Sequence, residues 1–223
     1  PPRIPPSGVR FRACWVCARL RLWPTDMLEL LLPRSCAGCG TAGESLCARC
    51  REVWRATPQR ISVDVDFPVW SLSPYDGPHR KVLIAMKERG RRDLIAHVGA
   101  VVGASISFLQ ARGELEHAVT LVPAPTRARS QRLRGGDPVE GVCLKTRLAT
   151  LPCLRIAADT PDSVGLGAVA RRRNMKVELL QVPPSPVVLI DDVVTTGATL
   201  AASVDILRTA GVQVRGALTY CHA

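Results

Sequence analysis

The residues best suited to chemistry lie in one run, VVLIDDVVTTGATL, at residues 187–200. Four apolar residues precede Asp191 and Asp192, two more apolar residues follow, and the run then continues as Thr-Thr-Gly-Ala-Thr. Paired carboxylates accept hydrogen bonds from vicinal hydroxyl groups and hold Mg²⁺ directly or through water. The polar segment after them supplies hydroxyl and backbone N–H donors, which are groups that bind a phosphate. The run therefore predicts a site for a sugar phosphate, with ribose 5-phosphate as the fitting example.

The run also predicts the elements that position these groups. Its apolar half is typical of a short buried strand, and the sequence TLAASVDILRTAG after it has helical periodicity and ends at Gly211. A phosphate at this junction would meet the N-terminus of the helix, where backbone N–H groups and the helix dipole favour an anion. The phosphate-binding residues are predicted to be Thr195, Thr196, Gly197, Ala198 and Thr199, with the glycine allowing close approach of the backbone. Helix capping by Asp and Thr explains one or two of these residues but not the whole set.

The rest of the chain alternates between strand and helix patterns, which predicts an α/β fold with a mostly parallel sheet flanked by helices. Residues 51–66 are interpreted as a connector and residues 160–176 as a polar, arginine-rich stretch. Strands are predicted at 67–75, 118–122, 154–158 and 212–220, and helices at 80–88, 93–112 and 138–148.

Four of the nine cysteines form two closely spaced C-x-x-C pairs, Cys36 with Cys39 and Cys47 with Cys50. Two such turns bring four thiolates around one Zn²⁺, so a structural zinc site is expected. Disulfides fit less well because no export signal is recognised. A third pair, Cys14 and Cys17, is either a further metal-binding pair or part of residues 1–26 without such a role. Those residues are interpreted either as a disordered extension or as a mis-assigned start, with Met27 as the true start.

Composition limits the class of protein. The chain of 223 residues is 47 % hydrophobic without an uninterrupted apolar run of membrane-spanning length, so a cytoplasmic protein without a membrane span is expected. Its formal net charge of +11 favours an anionic partner, whereas an aromatic content of 4 % disfavours base stacking on single strands. The basic residues at 127–134 and 171–176 are assigned to a small polyanion, and those at 80–92 are left open between an anion site and a solvated helix face.

A family resemblance follows from the order of these motifs. The cysteine pairs after MLELLLP are followed by MKERGRRDL, LVPAPTRARSQRLRGG, DSVGLGAVARRRN and then the run at 187–200. This order resembles the ComF family of phosphoribosyltransferase-like proteins over residues 27–220. The resemblance implies a type I phosphoribosyltransferase fold with a small N-terminal four-cysteine zinc ribbon. The implied division is an extension at 1–26, a zinc-ribbon module at 27–60 and a phosphoribosyltransferase domain at 61–223.

The resemblance also implies roles for particular residues. Asp191 and Asp192 would bind the ribose hydroxyls of phosphoribosyl pyrophosphate with Mg²⁺ bridging, and residues 195–199 would hold the 5-phosphate. The residues implied in the pyrophosphate loop and the closing lid are Thr126, Arg127, Arg129, Arg171, Arg172, Asn174 and Lys87. The last of these belongs, with Gly90, to a K-x-x-G pattern whose role the sequence does not define. The chain has Gly-Gly-Asp-Pro at 135–138 where the family usually has G-F-N-Q, which leaves the acceptor open.

Two functions are consistent with these residues. The first is a pentosyltransferase of nucleotide or nucleoside metabolism that moves a phosphoribosyl group from phosphoribosyl pyrophosphate to an unidentified nitrogen acceptor. The second is a non-catalytic or sensing protein of DNA uptake, competence or DNA processing, acting through single-stranded DNA or protein partners. Donor binding that depends on Mg²⁺ and the salt dependence of any DNA affinity distinguish the two functions.

Overall fold

The structure is a computed structural model that describes residues 34–126, 136–158, 175–184 and 186–223. The chain divides into two compact units, Pro1–Arg34 and Ser35–Ala223. All but the last residue of the first unit lies outside the described residues, as do Cys14, Cys17 and the predicted extension at 1–26. The predicted division at residues 26 and 60 stays a prediction.

Within these described ranges, seven strands form two sheets. They are β1 (Gln59–Ile61), β2 (Val69–Pro74), β3 (Thr120–Pro123), β4 (Leu154–Ile156), β5 (Val177–Leu179), β6 (Val187–Val194) and β7 (Val214–His222). The main sheet has the order β1-β2-β7-β6-β3, in which β1 is antiparallel to its neighbour and every other pair is parallel. The two remaining strands, β4 and β5, form an antiparallel pair of their own. This confirms the prediction of an α/β protein with a mostly parallel sheet.

The described part of the chain contains five α-helices: α1 (Ala48–Trp54), α2 (Gly77–Glu88), α3 (Ile95–Ala111), α4 (Pro138–Lys145) and α5 (Ala198–Thr209). The helices at 80–88, 93–112 and 138–148 were therefore predicted correctly within a few residues. The prediction that residues 51–66 are a plain connector was wrong, because they contain the end of α1 and all of β1. Cys50 and Trp54 lie one helical turn apart and are both buried, so packing of this face stabilises a short helix that the sequence pattern did not reveal.

The main sheet carries one hydrophobic cluster on each face. Ile190 and Leu218 belong to a cluster shared with α2, α3 and α4, whereas Leu189 and Ala217 belong to a second cluster shared with α5. Alternate residues of a strand point to opposite faces, so both faces of the central strands are buried, as expected for parallel strands covered by helices. The first cluster also includes buried residues of the segment that contains the two C-x-x-C pairs, called here the cysteine segment: Cys36, Leu46, Cys50 and Trp54.

One helical stretch of the described residues, Arg92–Ala111, is long and apolar enough to cross a membrane by length and composition alone. It consists of a 3₁₀ turn, Arg92–Leu94, followed by α3. Val98, Val102 and Ile106 of this helix are completely or almost completely buried in the first cluster. The core helix of a soluble protein gives the same signal, so this single stretch is consistent with a soluble protein.

The sheet topology creates a crevice at one edge. β3 and β6 are parallel neighbours, but α4, which follows β3, packs on one face and α5, which follows β6, packs on the other. The chain segments that leave the carboxyl ends of these two strands must therefore diverge. In open α/β sheets, ligands bind in the crevice that such divergence leaves.

Candidate functional site at the carboxyl edge of the sheet

The two acidic residues lie at this crevice. Asp191 and Asp192 are part of β6, which extends to Val194 and is longer than the predicted apolar half of the run. The neighbouring strand β3 ends at Pro123, which is in register with Ile190. The two carboxylates therefore come just after the last paired residue of β3, where the side of β6 that faces β3 no longer has a strand beside it, although β7 still pairs with the other side. This is the position that the sequence predicted for them.

The pair is electrostatically unusual. The Asp192 backbone N–H donates to Asp191 Oδ1 at 2.8 Å. Although part of the Asp191 residue is exposed, its carboxyl group is enclosed by protein, and this burial together with the charge of Asp192 raises its pKa to about 8. The backbone hydrogen bond and Lys87 act in the opposite direction. At neutral pH, the pair therefore resists carrying two full negative charges unless a cation joins it.

Lys87 reaches this pair from a distant part of the sequence. It lies in the last turn of α2, and its Nζ is 2.5 Å from Asp192 Oδ2. Gly90, at φ +62°, follows the end of α2, and a left-handed residue at this position is the usual way to end a helix. The K-x-x-G pattern, which had no role from sequence alone, thus places a lysine on the acidic pair and ends the helix that carries it. Lys87 lies on α2 and is part of neither the loop after β3 nor the segment 160–176.

The turn between β6 and α5 has the predicted strand-to-helix form, with α5 beginning at Ala198. Its N-cap residue is Gly197, at φ +71°, so neither Asp nor Thr occupies the capping position. The first N–H groups of any α-helix have no partner within the helix and remain available to an anion. Thr195 is exposed and Thr196 and Thr199 are partly exposed, so the threonines that were predicted as hydroxyl donors border solvent.

The structure gives Gly197 a different role from the predicted one. A Cβ added at this position would lie 2.8 Å from Val63 Cγ1 and 3.1 Å from Val65 Cγ1. The space that a side chain would need is therefore occupied by the segment between β1 and β2, and is not free for a phosphate. Gly197 is required by its positive φ and by these two valines.

The remaining predicted residues of the site are only partly described. Thr126 follows β3 by three residues and is partly exposed at the same edge of the sheet. Arg127, Arg129, Arg171, Arg172 and Asn174 lie outside the described residues, as does most of the segment 160–176 that was assigned to the lid. Their predicted contacts with pyrophosphate stay predictions.

Sequence reasoning missed one further residue beside the acidic pair, Tyr220. Asp191 is in register with Thr219 and Val193 with Cys221, so Tyr220 is next to Asp192 in the neighbouring strand. Tyr220 is 1 % exposed, and its hydroxyl has no hydrogen-bond partner within the described part of the chain. Burial raises its pKa well above the ordinary value, so the group is a neutral donor beneath the site. No motif marks a single tyrosine near the end of a chain, so sequence alone gave no signal.

The four cysteines of the predicted metal site come together. The Sγ atoms of Cys36, Cys39, Cys47 and Cys50 all lie within 4.8 Å of one another. The Cys47 backbone N–H donates to Cys36 Sγ at 3.3 Å, and although burial opposes it, hydrogen bonding from backbone N–H groups lowers the pKa of the Cys36 thiol to about 6. Thiolate character and this spacing are what a structural metal ion such as Zn²⁺ requires. The three other described cysteines, Cys143, Cys153 and Cys221, are buried in the core.

Comparison with known proteins adds little to this geometry. No family model matches the chain, and no curated protein matches its sequence. Among solved structures, one match is described as the glutamine mutant in an analysis of an invariant aspartic acid in HPRTs (hypoxanthine phosphoribosyltransferases). It is 12 % identical, with a TM-score of 0.33, and the match covers 60 % of this chain and 66 % of that chain. The resemblance to the ComF family stays a prediction from the sequence motifs.

Proposed function

We propose that this protein, as a ComF-like phosphoribosyltransferase, binds phosphoribosyl pyrophosphate with Mg²⁺ at the crevice and transfers the phosphoribosyl group to a nitrogen acceptor. One observation carries the proposal. Asp191 and Asp192 lie on β6 at the open crevice beside β3, one turn before the N-terminus of α5. Carboxylates suit ribose hydroxyls and a divalent cation, and the helix N-terminus suits a phosphate. The acidic pair thus suits the ribose of a ribose 5-phosphate, and the N-terminus of α5, a short turn later in the chain, suits its phosphate.

The residues present also fit a magnesium ion. Two adjacent carboxylates offer the hard oxygen ligands that Mg²⁺ prefers, and Asp191 and Asp192 would hold it. A bound Mg²⁺ supplies charge neutralisation for a pyrophosphate leaving group. The N-terminus of α5 and the surrounding hydroxyls then hold the 5-phosphate, which fixes the sugar relative to the acceptor.

The reaction needs no nucleophile from the protein. The acceptor nitrogen forms a bond to the anomeric carbon of the donor, and the bond from that carbon to pyrophosphate breaks, with its electron pair leaving on pyrophosphate. Positive charge develops on the sugar during this displacement, and the carboxylate oxygens beside the ribose hold the sugar in place by accepting hydrogen bonds from its hydroxyl groups. The basic residues at 127–134 and 171–176 are proposed to contact the leaving group.

The decisive experiment is calorimetry of phosphoribosyl pyrophosphate binding with and without Mg²⁺. We expect Mg²⁺-dependent binding that is lost in the double variant Asp191→Asn/Asp192→Asn, with Asp205→Asn on the exposed side of α5 as the matched control. A screen of nitrogen bases, followed by pyrophosphate release, then identifies the acceptor. Equal donor binding by the wild type and the double variant would contradict the proposal. Donor binding without release for any base would indicate a sensing protein.

A second function, binding of single-stranded DNA, is favoured by a separate observation. A cleft of about 310 Å³ lies between the cysteine loop and α2, and its lining includes the cations Arg80, Lys81, Arg89 and Arg91. Clustered cations of this kind neutralise phosphates, and the resulting affinity falls steeply with salt concentration. Titration of a single-stranded oligonucleotide at rising salt, with Arg80→Ala/Lys81→Ala as the test variant, decides this candidate. Absence of binding at physiological salt would exclude it.

We also propose that the four-cysteine cluster holds one structural Zn²⁺. Four thiolates fill the tetrahedral shell of zinc and leave no open position for a substrate, so the ion would act on folding and not on chemistry. A Cβ added at Gly38 would lie 2.7 Å from Cys50 Sγ and 3.3 Å from Pro78 Cβ. The metal-binding loop is thus packed tightly against the start of α2.

A further inference from the structure

Lys87 occupies a position at the acidic pair that the proposed reaction also requires for a cation. Its ammonium group contacts Asp192 Oδ2 at 2.5 Å, and the side chains of Lys87 and Asp192 are 29 % and 15 % exposed. The contact joins α2 to β6 across the first hydrophobic cluster, since both elements contribute to that cluster. The ion pair is therefore a fixed, partly buried feature of the crevice and not a pair of solvated surface groups.

Electrostatics explains why Lys87 pairs with Asp192 in the protein without ligand. Asp191 and Asp192 are adjacent in β6, the backbone N–H of Asp192 donates to Asp191 Oδ1, and the charge of Asp192 helps to raise the pKa of Asp191, so the two carboxyl groups influence each other. Two neighbouring carboxylates in a partly buried crevice repel each other strongly. The Lys87 ammonium offsets this repulsion, as a divalent cation would.

The same oxygen cannot serve both cations well. Mg²⁺ held by Asp192, directly or through a water, would lie close to the Lys87 ammonium and be repelled by it. A lysine has a flexible four-carbon stem and a compact charged head, so the head can move while the stem stays packed. A diphosphate group that arrives with Mg²⁺ provides an alternative anion for that head.

We propose that Lys87 holds the place of the divalent cation at Asp192 in the free protein and is transferred to the diphosphate of the donor when donor and Mg²⁺ bind together. This inference rests on the proposed function, because it assigns a part of the same site. It makes Mg²⁺ and Lys87 competitors when the metal is alone and partners when the donor is present. Binding of metal and donor is then coupled. The diphosphate of the donor draws Lys87 away from Asp192, which removes the repulsion that Mg²⁺ would meet there, and Mg²⁺ in turn frees Lys87 to bind the diphosphate.

The test compares Lys87→Met with Lys145→Met, an exposed lysine in the last turn of another helix on the same face of the sheet. Titration with Mg²⁺ alone should give about tenfold tighter binding for Lys87→Met than for the wild type, within the range of ordinary coupling energies. Titration with phosphoribosyl pyrophosphate in excess Mg²⁺ should give about tenfold weaker binding for the same variant. Lys145→Met should match the wild type in both titrations. A purely structural ion pair would not move the two affinities in opposite directions.

The wild-type protein supplies a second measurement that does not depend on the folding of a variant. Mass spectrometry after treatment with an amine-modifying reagent should show that Mg²⁺ alone increases modification of Lys87 relative to Lys145, and that added donor protects Lys87 again. Unchanged modification of Lys87 with Mg²⁺, or unchanged Mg²⁺ affinity in Lys87→Met, would overturn the inference. A wild type that binds Mg²⁺ but not the donor would instead contradict the proposed function. The two outcomes are distinguishable because the titrations with Mg²⁺ alone test the role of Lys87 without the donor.

Discussion

Asp191 shows how a single residue can be favourable for a site and unfavourable for the fold. Its carboxyl group is enclosed next to another carboxylate, and the raised pKa of about 8 expresses the free energy needed to ionise it there. A polar group at such a position is maintained for what it binds, since a neutral residue would be more stable in the same place. Its cost to stability should therefore be visible in a pH titration.

We expect Asp191→Asn to raise the free energy of unfolding at neutral and alkaline pH. The folded pKa of about 8 lies above the ordinary value of 3.8, so between these values the unfolded chain has lost a proton that the folded chain retains. The stability of the wild type must therefore fall as pH rises through this interval. The variant lacks this loss, so its advantage should grow to about 1–2 kcal/mol above pH 8 and disappear near pH 4.

Urea denaturation between pH 4 and pH 9 measures this difference. Asp205→Asn, on the exposed side of α5, is the control and should follow the wild type at every pH. Parallel curves for the wild type and Asp191→Asn would show that the buried carboxyl carries no such cost. Donor binding by Asp191→Asn should be weakened at all of these pH values.

The turn between β6 and α5 shows that an element of the site depends on a neighbour from another part of the sequence. Gly197 has a positive φ, which an L residue adopts at a cost, and its missing side chain makes room for Val63 and Val65. The segment between β1 and β2 thus lies against the turn that is proposed to bind the phosphate. Its two valines keep the helix N-terminus in place at the crevice.

Gly197→Ala should destabilise the protein more than the same change at a glycine with similar φ but no neighbour. Gly113, at φ +71°, has open space within 4 Å of the position that a Cβ would take, so Gly113→Ala measures the backbone cost alone, about 1 kcal/mol. The clash with Val63 should add about 1–3 kcal/mol in Gly197→Ala. Urea denaturation of both variants gives the difference, and Val63→Ala should restore part of it. An equal loss of stability in Gly197→Ala and Gly113→Ala would contradict a clash between the added methyl group and Val63.

The strands and helices that carry the site were largely predictable from the sequence, and their long-range contacts were not. Buried β6 and amphipathic α5 have strong local patterns, so a strand that leads into the acidic pair and a helix that follows it were both predictable. α1 and β1 have only seven and three residues and depend on packing, which local patterns do not contain. The contact of Lys87 with Asp192 joins residues more than a hundred positions apart, and nothing in their local spacing indicates it.

At the scale of the whole molecule, the cysteine segment contributes to the hydrophobic core that the sheet and helices share. Cys36, Cys50 and Trp54 belong to the same hydrophobic cluster as α2 and α3. The Arg91 guanidinium also donates to the Ser35 carbonyl oxygen at 3.1 Å and pairs with Asp93. Metal binding at the cysteines should therefore stabilise all of Ser35–Ala223 and not only the loop that holds the ion.

Removal of the metal should lower the midpoint of a single unfolding transition. A protein purified with about one Zn²⁺ per chain is expected, and a strong chelator should shift that transition downward as a whole, because folding and metal binding are coupled. Calorimetry with metal analysis provides both measurements. Cys39→Ser should lose the metal, whereas Cys153→Ala, a buried cysteine of the second cluster, should retain it. A separate low-temperature transition for the cysteine segment would contradict the shared core.

Helix α2 has a geometric consequence for communication within the molecule. Pro78, in its first turn, packs beside the metal-binding loop at Gly38, and Lys87, in its last turn, pairs with Asp192 at the crevice. Nine residue steps of an α-helix separate the two ends by about 14 Å. A helix is stiff along its axis, so α2 acts as a strut between the cysteines and the acidic pair. We expect a shift of the cysteine loop to reach Lys87, the counter-ion of Asp192, through this helix, because the two contacts lie at its opposite ends.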